Sequence, residues 1–252
     1  MSLSCPRRFM ALGRQPPAMS DDSDLYIPDI VPASDVAYLE SQSRYGNRVG
    51  WGERPALLVV DATEAFLDGR RTTPDCVADT ARLLDAARSV DVPVFYAVPS
   101  GRSLPEGYPV PIKGSASSDR TPDDATTDRD REDWVAKLDR LPPAIEPRES
   151  EHVVEKPRAS AFFDTHLANL LHYYGVDTLV VCGTNTGGCL RATVVDSHSS
   201  GFRTIVPPEC VADAVTLTHE VALFDMDLRY ADVTPLEDVL SKLETVASAD
   251  ST

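Results

Sequence analysis

The chain has 252 residues, 42% of them apolar, and carries 40 acidic against 24 basic side chains for a formal net charge of −16. That length supports one large domain or two small ones, each able to bury a core. So acidic a balance argues against nucleic acid or an anionic membrane surface as a partner.

Residues 1–32 read as a disordered N-terminal extension, and residues 33–252 as a single domain. The stretch before Met19 holds Arg7, Arg8 and Arg14 but lacks the apolar core of a targeting signal, so Met19 is the expected natural start. Ser34 or Asp35 can cap a short helix running to Ser43. Ala56-Leu57-Leu58-Val59-Val60 is an unbroken apolar run of the kind a buried parallel strand needs, and it ends at Asp61. Helical spacing of Ala78, Ala81, Leu84 and Ala87 predicts a helix over 74–89, and a second strand follows at 92–98. From Pro99 to Asp130 the composition turns to Pro, Gly, Ser and Asp, a loop long enough to cover an active site.

A short helix at 133–138 leads to a strand around Val153-Val154, then Lys156 and a helix over 163–174. The run 178–182 is the central strand, followed by the Cys189 helix, a strand at 203–206 and helices over 218–230 and from Pro235. Strands alternating with helices predict an α/β fold, a three-layer α/β/α sandwich around a mainly parallel, six-stranded Rossmann-like sheet. No stretch approaches 18 consecutive apolar residues, so no membrane span is expected.

Five scattered cysteines without a C-x-x-C pair read as reduced, which predicts a cytoplasmic protein. Only Lys113, Lys137, Lys156 and Lys242 are lysines, and an acidic, lysine-poor surface points to a halophilic setting.

In open parallel sheets, sites form at the carboxyl ends of strands. Asp61, Lys156 and Cys189 each lie just after a predicted strand, which puts an acid, a base and a thiol on one edge. Cys189 follows the loop Gly183-Thr184-Asn185-Thr186-Gly187-Gly188 at a predicted helix start, where free N–H groups favour a thiolate. Taken singly, each residue has a plainer reading: a buried structural cysteine, a loop-anchoring aspartate, a solvated lysine. Their joint placement predicts a cysteine-dependent amidohydrolase. Cys189 attacks a carbonyl, Asp61 moves the proton, Lys156 supplies charge, and backbone N–H groups of Asn185 and Cys189 hold the oxyanion.

These segments resemble the isochorismatase-like cysteine hydrolases. The resemblance rests on 56–61, on Glu155-Lys156-Pro157-Arg158-Ala159-Ser160-Ala161-Phe162 and on 183–189. Val49-Gly50-Trp51-Gly52-Glu53-Arg54-Pro55, Arg191-Ala192-Thr193, Pro208-Glu209-Cys210-Val211 and 223–227 are similar to the N-carbamoylsarcosine amidases within that group. The resemblance implies the triad Asp61, Lys156 and Cys189, a cis peptide at Thr184–Asn185 and a homo-oligomer, dimer or tetramer. It also implies a small carbamoyl or carboxamide substrate and release of ammonia.

Two departures stand out. Residues 62–75 lack the histidine of metal-binding relatives, and the five histidines have no ligand spacing, so neither metal nor cofactor is expected. Ala214 occupies the place of an arginine suited to a substrate carboxylate, which leaves Arg158 or Arg191, with Phe162 beside them, as candidate substrate-binding residues.

Other readings remain open at this stage: biuret, a ureido acid, nicotinamide or an isochorismate-like vinyl ether as substrate, or a non-catalytic scaffold. His198 beside Ser197 lacks a G-x-S-x-G elbow, and Gly187-Gly188 lacks a P-loop lysine. Cys182 and Cys210 read as buried and inert.

Overall fold

The computed structural model describes residues 25–42, 45, 47–67, 72–100, 136–138 and 140–249. Seven parallel strands form one sheet. In chain order these are β1 (Pro55–Val60), β2 (Val94–Pro99), β3 (His152–Lys156), β4 (Thr178–Thr184), β5 (Arg203–Val206), β6 (Val211–Ala212) and β7 (Asp232–Val233). Their spatial order is β3-β2-β1-β4-β5-β7, with β6 paired to the end of β4. The sequence pattern missed the seventh strand because β6 and β7 have only two residues each, too few to show a period.

Helices cover both faces: α1 (Ala33–Glu40), α2 (Glu64–Leu67), α3 (Cys76–Ser89), α4 (Leu167–Tyr173), α5 (Arg191–Ser199), α6 (Thr216–Arg229) and α7 (Leu236–Ala249). Alternation along β1 sends Leu57 and Val59 to one layer and Ala56, Leu58 and Val60 to the other. On the first face, Leu83, Leu84 and Ala87 of α3 pack with Leu236, Val239 and Leu243 of α7. On the second, Leu167, Val194, Leu223 and Met226 bring in α4, α5 and α6. Each fully buried leucine contributes about 1.5–3 kcal/mol.

Three expectations need correction. Residues 25–32 are not part of a disordered extension: Leu25 and Tyr26 are buried, and the Tyr26 N–H donates to Asp227 Oδ2 at 2.6 Å. The helix predicted over 163–174 begins only at Leu167, because Asp164 takes a left-handed backbone (φ 55°) and Thr165 Oγ1 accepts the Leu167 N–H. Of the helix predicted at 133–138, residues 136–138 form a turn and the rest lie outside the described residues. The covering loop expected over 99–130 lies outside them too, apart from Pro99 and Ser100. Among the described residues no helix is long and apolar enough to cross a membrane.

Candidate active site

Strand order reverses between β1 and β4, so their carboxyl ends open the crevice where such sheets hold ligands. Asp61 follows β1 directly and Cys189 follows β4, one on each side of this point. The two strands close tightly here. Gly183 sits at φ 116°, and a Cβ on it would lie 2.0 Å from the Val60 carbonyl oxygen, so only glycine lets β4 approach. Asp61 itself has a left-handed backbone (φ 46°), a conformation that aspartate tolerates better than most residues. Its N–H donates to the Ala97 carbonyl at 2.8 Å, and the Thr184 hydroxyl donates to its carbonyl.

Lys156 ends β3, two strands from β1, a spacing of about 10 Å. Only a long side chain can cross the end of β2, and Lys156 Nζ reaches Asp61 Oδ2 at 2.7 Å. Both side chains are almost wholly buried, at 3% and 0% exposure. Nζ also donates to the Arg158 carbonyl at 3.1 Å. The half-buried Cys189 thiol lies close enough to feel the same Asp61 carboxylate and the Lys156 ammonium. The three residues that the sequence singled out thus meet at one point.

Their electrostatics differ from the expectation. Burial pushes the Cys189 thiol up to about 12, the Asp61 charge adds to this, and Lys156 only partly opposes it. A ready-made thiolate was expected from a helix N-terminus. The chain instead forms a π-type turn at Thr186–Leu190 before α5 begins, and Cys189 sits inside that turn. Burial also raises Asp61, against the Lys156 charge. Among the described residues no well-formed hydrogen bond reaches either oxygen of its carboxylate, and Lys156 is held beside it as an ion pair. Extra hydrogen bonds would hold the carboxylate acidic, and their absence keeps it basic.

The π-type turn is where the loop's donors are set. Gly188 leaves helical geometry at φ −117°, ψ −110°. The N–H groups of Gly188 and Leu190 both donate to the Asn185 carbonyl, at 2.9 and 3.2 Å, and that of Gly187 donates to Asp213 Oδ2 at 2.9 Å. Thr186 Oγ1 bonds the buried His219 Nδ1 at 2.9 Å. The peptide bond at Thr184–Asn185 is trans, as every described peptide bond is, so the expected cis peptide is absent. Extended backbone continues through Asn185 (φ −72°, ψ 127°), and the chain reverses at the Gly188 kink instead.

The candidate substrate residues fare differently. Arg191 does not face the triad as a free cation: its Nε and Nη2 both bond Asp225 Oδ2, at 3.0 and 2.5 Å, and Asp225 also pairs with Arg229. Phe162 packs on Phe202, the residue leading into β5 at the far end of the sheet, with ring centroids 6.0 Å apart. Its aromatic character fills core. Arg158 remains beside the site through its carbonyl. Asp213 and His219, which hold the turn, were not singled out from the sequence, since they lie 24 and 30 residues beyond Cys189 in a different element. Among the described residues no group of three His, Cys, Asp or Glu side chains is arranged to hold a metal ion.

Comparison with known proteins accords with this geometry. Residues 55–238 match the isochorismatase domain. The chain is 36% identical to a maleamate amidohydrolase of Pseudomonas putida over 82% of its own length and 94% of the relative's. It is 31% identical to an N-carbamoylsarcosine amidase of an Arthrobacter species, over 82% of this chain and 78% of that one. Among solved structures, an isochorismatase family protein from Burkholderia thailandensis superposes with a TM-score of 0.64 at 22% identity, covering 79% of this chain and all of that one. A cysteine hydrolase from Pseudomonas syringae gives 0.62 at 22%, covering 79% and 98%. The chain belongs to the isochorismatase family of hydrolases.

Proposed function

We propose that this protein is a cysteine-dependent amidohydrolase that releases ammonia from a small carboxamide or carbamoyl compound bearing a carboxylate. The observation that carries the reading is the buried Asp61–Lys156 pair at 2.7 Å with the Cys189 thiol close beside it. A thiol whose pKa stands at about 12 is not a nucleophile at neutral pH unless a base takes its proton as it attacks. Asp61, raised by burial and accepting few hydrogen bonds, is that base.

As the sulfur–carbon bond forms, the thiol proton passes to Asp61 and the carbonyl oxygen becomes an oxyanion. With Gly187, Gly188 and Leu190 already engaged, the N–H groups of Asn185 and Cys189 are the donors proposed to receive it. Collapse of this intermediate breaks the C–N bond, and Asp61 gives its proton to the departing ammonia. A thioester on Cys189 remains. Water then attacks it as Asp61 takes the water proton, and the thiolate leaves and regains that proton. Lys156 pairs with the ionised Asp61 at rest and faces the negative charge on the sulfur while Asp61 holds the proton.

The named activities of the two relatives, on maleamate and on N-carbamoylsarcosine, both concern a primary amide nitrogen and a carboxylate a few bonds away. Arg158 is the proposed partner for that carboxylate, since the Lys156 ammonium already holds its carbonyl at the site. The test is ammonia release in high salt from maleamate, N-carbamoylsarcosine, other N-carbamoyl amino acids, biuret and nicotinamide, with Cys189→Ala beside wild type. The expected result is turnover of a carboxylate-bearing amide that falls by at least about 10³-fold in the variant. Unchanged turnover in Cys189→Ala, or silence across the panel, overturns the proposal.

A further inference from the structure

We propose that Asp213 is a positioning residue for the oxyanion-binding turn, its carboxylate clamping the Gly187 N–H so that the Cys189 N–H is left aimed at the reacting carbonyl. The inference rests on the amidohydrolase reading above. Asp213 follows β6, whose Ala212 is in register with Thr184 at the end of β4, so its backbone is set by the same sheet edge as the nucleophile loop. Thr72 locks it further, its hydroxyl accepting the Asp213 N–H at 2.7 Å and donating to the Asp213 carbonyl at 2.9 Å.

From that fixed point the carboxylate of Asp213, a residue 6% exposed, accepts two N–H groups: Gly187 at 2.9 Å through Oδ2 and Val215 at 3.2 Å through Oδ1. It makes no ion pair with a described residue. Gly187 is also packed tightly against α6, where a Cβ would lie 2.1 Å from Thr218 Cγ2. The peptide plane entering Gly187 therefore has one orientation, and the Gly188 kink carries that orientation to Cys189 two residues later. A misplacement of 1 Å in such a donor costs about 100-fold in rate while leaving ground-state binding nearly intact. A carboxylate presents an oxygen to both N–H groups. An amide presents only one, and alanine none.

The experiment compares wild type, Asp213→Ala and Asp213→Asn. Steady-state hydrolysis of maleamate and N-carbamoylsarcosine is measured with iodoacetamide alkylation of Cys189 and amide hydrogen exchange of a peptide covering 185–189. Asp213→Ala is expected to lower kcat about 10- to 100-fold, with KM and the alkylation rate within about threefold of wild type. Exchange across 185–189 rises at least about tenfold, and Asp213→Asn, still able to accept from Gly187, recovers most of the kcat loss. An unchanged kcat in Asp213→Ala overturns the proposal. So does a fall in kcat accompanied by a comparable rise in KM and loss of alkylation, which is general damage to the fold. If wild type hydrolyses neither amide, the functional reading fails by itself. The exchange measurement then decides the clamp, and unchanged exchange in both variants sinks it.

Discussion

At the scale of single residues, the unexpected property is that Cys189 keeps its proton. Cys189 sits beside Lys156 and close to a helix start, two features that lower a thiol. Burial and the adjacent Asp61 charge outweigh both and push it up to about 12. Free thiolate then grows tenfold per pH unit up to that value, so alkylation of Cys189 by iodoacetamide should climb steadily from pH 7 to beyond pH 10. Hydrolysis should behave otherwise. It needs an ionised Asp61, whose pKa is raised, so activity is lost as pH falls through that raised value and is level above it. Parallel pH profiles of alkylation and ammonia release check this. A plateau in alkylation near pH 8 would show a thiolate that the geometry does not support.

At the scale of elements, the nucleophile turn depends on α6 as much as on β4. His219 on α6 bonds Thr186 from a site where burial lowers its pKa from 6.5 to about 4, with the Asp213 charge partly opposing. The folded state thus refuses a proton that the unfolded chain accepts. Stability is fully present above pH 6.5 and falls as pH drops from 6.5 towards 4, by about 3 kcal/mol from this group. Chemical denaturation of wild type and His219→Gln between pH 4 and 7 measures it. The variant should be less stable at pH 7 from the altered hydrogen bond, yet flatter with pH.

This dependence also explains what the sequence did and did not disclose. Asp61, Lys156 and Cys189 were legible because each ends or follows a strand, and strand ends converge in a parallel sheet. The turn's shape was not legible, since Asp213 and His219 fix it from a later element. Arg191 looked like a free cation only because its partner, Asp225, lies 34 residues on.

At the scale of the whole molecule, one side chain fastens the segment from Tyr26 to Arg48 to α6 and to β7, the last strand of the sheet. Asp227 on α6 accepts the Tyr26 N–H at 2.6 Å, Arg48 Nη1 at 2.7 Å and the Val233 N–H at 2.6 Å. Asp232 adds the Val49 and Gly50 N–H groups, at 2.9 and 2.8 Å. Asp227→Ala leaves two buried N–H groups without their acceptor and Arg48 Nη1 without its carboxylate, with the Val233 carbonyl at 3.2 Å still accepting from it. A loss of about 3–5 kcal/mol is expected in urea denaturation, and a loss under about 1 kcal/mol would mean that the N-terminal segment contributes little. β1 lies at the centre of the sheet with β2 on one side, made within the next 40 residues, and β4 on the other, made more than 115 residues later. During synthesis β1 therefore presents a bare apolar edge until residue 184 has left the ribosome. The interval in which this chain is most open to wrong pairing is set by the order of its strands and by the speed of translation.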